Sequence, residues 1–185
     1  MIKSIESPIT INPFKYHSEI KEELLKKIDV AKNNSPYDPS SEVNISRADW
    51  FDASNMNRDW VSFLSKNLLN EIAKNYSEIG FDSLRVNEIW FQQYYNGSEH
   101  GWHSHSANFT NVYYLEFHES SPKTLLLNPL NRKEIIEVDV KEGDLLSFPS
   151  YVLHKAPKNE SNKRKTIISY NLDCFYTDSA YGKDL

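Results

Sequence analysis

Between Ser83 and Phe175 the chain is a succession of short stretches rich in Ile, Val, Tyr, Phe and Leu, each closed by turn residues, and this rhythm limits the fold more than any other feature. Alternate residues of a strand share a face, so the stretches read as strands near 84–95, 101–105, 110–117, 124–128, 133–139, 144–148, 152–156 and 165–175. Eight short strands in one block suggest a jelly roll, or double-stranded β-helix. Upstream the period lengthens. Ser18 is placed to cap a helix from Glu19 to about Ala31, with Ile20, Leu24, Ile28 and Ala31 at helical spacing. Asn57 is placed to cap a second, from Arg58 to Tyr76, striped by Trp60, Phe63, Leu64, Leu68 and Ile72.

The expected fold is therefore mainly β with flanking helices (α+β). A helical layer over 14–80 precedes a β core over 83–176, and 177–185 form a tail. A chain of 185 residues suits one domain, and an apolar share of 39% against 25% charged is that of an ordinary globular protein. No apolar run is long enough to span a bilayer, and Met1 to Pro8 lack the apolar centre of a signal peptide, so a soluble, cytoplasmic protein is expected. A net charge of -5 argues against general binding to nucleic acid. The basic cluster Lys155, Lys158, Lys163, Arg164 and Lys165 reads mostly as a solvated loop. Nothing in the chain fixes the oligomeric state.

Chemistry concentrates in two places. The first is Tyr94-Tyr95-Asn96-Gly97-Ser98-Glu99-His100-Gly101-Trp102-His103-Ser104-His105; the second is Gly143 to Pro149 followed by His154. On one strand His103 and His105 would present two imidazoles side by side, and His154 arrives from a distant strand as the third. Three neutral imidazoles bind iron, copper, zinc or nickel without choosing among them. With Cys174 alone there is no thiolate cluster, so any metal must use nitrogen and oxygen ligands. His100 falls outside the alternation and reads as a neighbour of the ligands; His17 and His118 read as surface residues. Trp90, Tyr95, Trp102, Tyr114 and Phe148 read as core aromatics.

The segment from Trp90 to Asn171 resembles the Fe(II)- and 2-oxoglutarate-dependent oxygenases, specifically their prolyl-hydroxylase-like branch. That family carries a Tyr-x-x-Gly turn, His-x-Asp six residues after the Gly, a strand with Tyr-Tyr-Leu, a Gly-Asp/Arg-Leu to Phe-Pro strand, a distal His, and Arg or Lys about ten residues on. Tyr94, Gly97, His103, Tyr113 to Leu115, Gly143 to Pro149, His154 and Arg164 match in order and interval. One position departs: His105 stands where the family has its carboxylate ligand, giving His-x-His in place of His-x-Asp. The resemblance implies Fe(II) on His103, His105 and His154, with 2-oxoglutarate as cosubstrate. O2 would be consumed, a small-molecule or peptidyl substrate hydroxylated, and succinate and CO2 released. It also implies that Arg164 holds the distal carboxylate of 2-oxoglutarate, helped by Thr166 on the same face, with Lys165 as the alternative partner. Tyr94 and Gln92 would line the cosubstrate pocket, with Asn108 and Tyr113 as weaker candidates.

The same spacings match most of the two cupin motifs, although Ser106 to Thr110 lack the cupin Glu. A cupin-type dioxygenase or isomerase would not use 2-oxoglutarate. A jelly roll that binds a metal or ligand without catalysis is a third reading. The stretch Pro36 to Asn57, with Arg47, Trp50 and Phe51, is placed to act as a lid or a plain surface loop.

Overall fold

The computed structural model describes residues 8–131 and 133–176; the segment 1–7 and the tail 177–185 lie outside the described residues. Helix α1 spans His17–Asp29 and α2 spans Asp59–Glu78. α1 turns Ile20, Leu24, Leu25 and Ile28 inward, and α2 does the same with Trp60, Val61, Leu64, Leu68 and Ile72. Neither expected cap forms. The N-cap positions are held by Tyr16 and Arg58 with no side-chain cap bond, so packing of the apolar stripes carries the helices.

All eight expected strands form, within a few residues of their expected limits. They are β5 (Ser83–Tyr94), β6 (Glu99–His103), β7 (Phe109–Glu116), β8 (Leu125–Leu127), β9 (Ile135–Glu137), β10 (Asp144–Pro149), β11 (His154–Ala156) and β12 (Lys165–Phe175). Four more precede them: β1 (Thr10–Pro13), β2 (Tyr37–Asp38), β3 (Val43–Asn44) and β4 (Arg47–Ala48). The stretch 36–57 is thus not a plain loop. Its short strands join both sheets, and Arg47 bonds the Gln93 side chain and the carbonyls that end α1.

The strands form two antiparallel sheets in the jelly-roll arrangement, ordered β1-β10-β7-β12-β5-β4 and β2-β3-β6-β11-β8-β9. Two apolar clusters follow from the strand period. Phe91, Tyr113, Leu115, Ile168 and Tyr170 face the helices, while Tyr94, Val112, Tyr114, Phe148 and Ile167 face the second sheet with Leu126, Val138 and Val152. The β12–β5 ladder sets the interior: Lys165 opposes Tyr94, Ile167 opposes Gln92, and Ser169 opposes Trp90.

Among the described residues no helix is long and apolar enough to cross a membrane. His17 is not a free surface residue: its Nδ1 lies 2.7 Å from the Tyr113 hydroxyl. His118 is exposed and bonded to Ser120. Trp102 and Tyr95, expected in the core, are exposed by 39% and 43%. Trp102 lies on the outer face of β6, where the Lys155 ammonium sits 5.9 Å from its ring centre.

Candidate metal centre

His103 ends β6 and His154 begins β11, and the two are direct cross-strand partners. Their imidazoles meet inside the barrel with ring centres 4.1 Å apart. His105 is not on the strand with His103, as the sequence suggested. β6 stops at His103, and His105 belongs to the loop that follows, where its N–H donates to the Ser150 carbonyl at 3.0 Å. The Ser150 N–H in turn donates to the Asn108 carbonyl, so the loop is laced to the turn after β10. That lacing swings the His105 ring to 5.0 Å from His154 and 5.2 Å from His103. One ligating nitrogen from each residue lies within 4.8 Å of the other two.

The tautomers follow from the partners. His103 Nδ1 lies 2.7 Å from the Gly101 carbonyl and His154 Nδ1 3.0 Å from the Val152 carbonyl. A carbonyl can only accept, so each Nδ1 carries the proton and each Nε2 is left with a lone pair. His105 Nε2 is buried with no hydrogen-bond partner. A buried polar atom without a partner is costly unless something else engages it. Burial holds His103 and His154 below the ordinary histidine range and pushes His105 down to about 4, the neighbouring imidazoles adding to the effect for His154 and His105. Three neutral imidazoles with convergent lone pairs fit a transition-metal ion.

Among the described residues no carboxylate joins this group. Glu116 lies on the other side of its sheet, paired with Arg164, and the cavity around the histidines is lined by Trp90, Gln92, Tyr94, Thr124 and Ser169 among others, none of them acidic. The cavity is tight, with about 20 Å³ open to a water centre, room for about one water. Roomier clefts, such as the one of about 390 Å³ between Ile9, Leu126 and Tyr151, share no residue with the cluster. His100 is not in the ligating group; it stacks on His103 at 3.7 Å, with Trp50 edge-on at 5.7 Å.

Of the residues expected to bind the cosubstrate, Gln92 and Tyr94 line the cavity, and Gln92 Oε1 accepts from the Ser169 hydroxyl. Arg164 and Thr166 face away from it. The Arg164 guanidinium pairs with Glu116 at 2.6 Å and with Asp29 on α1 at 2.9 Å, and the Thr166 hydroxyl donates to the same Glu116 carboxylate. The parity of β12 is the reason: Ile168, two residues beyond Thr166, belongs to the helix-backed cluster. Lys165 takes the inward face. It is fully buried, donates to the Pro122 carbonyl at 2.8 Å, and lies 5.4 Å from the centres of the Tyr94 and Phe117 rings. Burial alone pushes its ammonium down to about 7. Asn108 and Tyr113 are outside the site: Asn108 accepts from the Cys174 N–H, and Tyr113 packs on the helix side.

The sequence reading took Trp90 for a core aromatic and passed over Asn159. Trp90 lines the cavity, its ring nearly parallel to His105 at 5.7 Å; its parity with Gln92 and Tyr94 was the available signal. Asn159 is buried. It exchanges backbone bonds with Gly97 and Ser98, and its side chain donates to the Tyr94 and Lys163 carbonyls. It thereby ties the turn before the first histidines to the entry of β12, and a lone Asn in a polar loop gives no sign of that role.

No family model matches the chain, and no curated protein matches it by sequence. Solved structures do. It is similar to a prolyl-4-hydroxylase from Pseudomonas putida, at 12% identity and a TM-score of 0.62 over 90% of this chain and 92% of that one. It is similar to an oxidoreductase of the 2OG-Fe(II) oxygenase family from Burkholderia pseudomallei, at 12% identity and a TM-score of 0.68 over 89% and 84%. A third is HygX from Streptomyces hygroscopicus, with nickel and 2-oxoglutarate bound, at 11% identity and a TM-score of 0.64 over 90% and 82%. At these identities the likeness establishes a shared fold.

Proposed function

We propose that the protein is a non-haem Fe(II)- and 2-oxoglutarate-dependent oxygenase of the prolyl-hydroxylase-like kind, with His103, His105 and His154 as its metal ligands. The observation that carries this reading is the convergence of three neutral imidazole nitrogens, one of them buried without a partner, in a cavity free of acidic side chains. With no carboxylate in the donor set, a divalent ion keeps its full charge, and a dianion such as 2-oxoglutarate is the ligand best suited to offset it. When bound, Fe(II) and 2-oxoglutarate supply an oxidant able to replace an unactivated C–H by C–OH, with succinate and CO2 released. The likeness to HygX, solved with nickel and 2-oxoglutarate bound, and to a fold of the 2OG-Fe(II) oxygenase family supports the assignment.

In this reading Lys165 replaces Arg164 as the partner of the far carboxylate. A buried amine with one carbonyl partner regains its proton when an anion arrives, whereas Arg164 is committed to Glu116 and Asp29. Tyr94, whose ring centre lies 5.4 Å from the Lys165 ammonium, and Gln92 line the cavity that holds the histidines. Admitting a five-carbon diacid requires the side chains around the tight cavity to part, which also expels water from the site. The substrate is a small molecule or a peptidyl group.

The test is succinate release by purified protein given Fe(II), O2 and 2-oxoglutarate. Release should vanish in His154→Ala. Lys165→Met should raise the KM for 2-oxoglutarate roughly 10–100-fold, the loss of a charged hydrogen bond, while Arg164→Ala leaves it nearly unchanged. Iron-loaded protein that fails to bind 2-oxoglutarate would sink the proposal and favour a cupin-type or purely binding role.

A further inference from the structure

Trp90 is 3% exposed, and its indole Nε1 is a buried donor with no acceptor. An indole N–H can only donate, and leaving it unpaired costs about 1–3 kcal/mol. The cavity wall offers it nothing. Gln92 Oε1 is taken by Ser169, Thr124 Oγ1 by the Tyr114 hydroxyl, and His105 Nε2 is the lone pair assigned to the metal. Two aromatic contacts hold the ring in place: His105, nearly parallel at 5.7 Å, and Trp50, edge-on at 5.0 Å. The donor is therefore set beside one metal ligand before any occupant arrives.

Its place along β5 says which end of an occupant it meets. Trp90, Gln92 and Tyr94 share the inward face; Tyr94 opposes Lys165 and Trp90 opposes Ser169 across the ladder. At about 3.3 Å per residue, Trp90 stands roughly 13 Å of strand from the level of Lys165. An extended diacid held at one end by Lys165 would present its other, metal-binding end on the Trp90 side.

Resting on the oxygenase reading, we infer that Trp90 is a positioning residue for the cosubstrate, its indole N–H donating to an oxygen of the 2-oxo acid group bound at the metal. Lys165 and Trp90 would then meet opposite ends of one ligand, Trp90 at the end that the histidine-bound metal would take. The indole cannot turn without breaking its contacts with His105 and Trp50, so the direction of the donor is set in advance.

The test uses zinc as a redox-inert stand-in, with 15N-labelled protein. The chain has four tryptophans and so four indole N–H signals, and the one missing in Trp90→Phe belongs to Trp90. Adding 2-oxoglutarate to zinc-loaded protein should move that signal downfield and leave those of Trp60 and Trp102 in place. Trp90→Phe should weaken 2-oxoglutarate roughly 10–100-fold, the range for losing one hydrogen bond to a charged group, with zinc affinity within about threefold. If Trp90→Phe does not fold, the wild-type spectrum still decides, its assignment taken from the contact with the His105 ring. Zinc and 2-oxoglutarate both binding with the Trp90 signal unmoved overturns this contact alone. Zinc that leaves the three histidine rings unmoved, or zinc-loaded protein that ignores 2-oxoglutarate, overturns the contact and the oxygenase reading together.

Discussion

In the sheet ordered β1-β10-β7-β12-β5-β4, the strands β5 and β12 run for twelve and eleven residues and pair along nearly their whole length; in the facing sheet the longest strand, β6, has five. The long sheet shares a continuous apolar cluster with both helices. The short sheet carries two of the three clustered histidines, and the third hangs from a loop beyond it. Stability and chemistry are thus divided between the sheets. The long one is a platform whose inward face puts Trp90, Gln92 and Tyr94 on the cavity that holds the histidines, with Lys165 opposite Tyr94 on the ladder.

That division can be broken from the platform side first. Leu64 on α2 is fully buried in the helix-backed cluster, so Leu64→Ala should cost about 2–5 kcal/mol in urea unfolding. Metal affinity of the folded protein should stay within a few fold, because no ligand touches α2. A matched loss of affinity would mean that the sheets are not separable. Lys165 is a buried amine on the platform's inward face, and its effect depends on pH. Its folded pKa is about 7 against an ordinary value of 10.5. Below about pH 7 the amine is charged in both folded and unfolded chains and the burial penalty is full; above about 10.5 it is neutral in both and the penalty is gone. Stability of the metal-free protein should therefore rise from pH 7 to 10.5, by a few kcal/mol at most. Lys165→Met should flatten that slope, read from unfolding midpoints across the window. On the thin sheet, a side chain at Gly101 would put its Cβ 2.3 Å from the Ser41 carbonyl oxygen, a backbone atom that cannot step aside cheaply. Gly101→Ala should cost about 1–3 kcal/mol. It should also weaken metal binding, because the Gly101 carbonyl orients His103; calorimetric titration with zinc would show whether both losses occur.

The platform was legible because its strands alternate. Apolar stretches closed by turn residues marked them in the sequence, and the histidine spacing marked the three side chains that converge. Which of Arg164 and Lys165 faces inward was not legible, and the reason is physical. Thr166-Ile167-Ile168 is buried on both faces of β12, so no polar residue marks which side meets the cavity, and parity cannot be fixed without the ladder. His105 was displaced from its expected strand by a backbone bond to Ser150, 45 residues away, which no local pattern announces. β2, β3 and β4 have two residues each and are too short to carry a period at all.

The direct pairing of His103 with His154 also bears on how the barrel assembles. A slip of one residue between β6 and β11 would turn one imidazole out to solvent and leave the ion two donors. A divalent cation present during refolding should therefore act as a proofreader, rewarding only the alignment in which both rings point inward. Three-residue β11 has few hydrogen bonds of its own to make that choice.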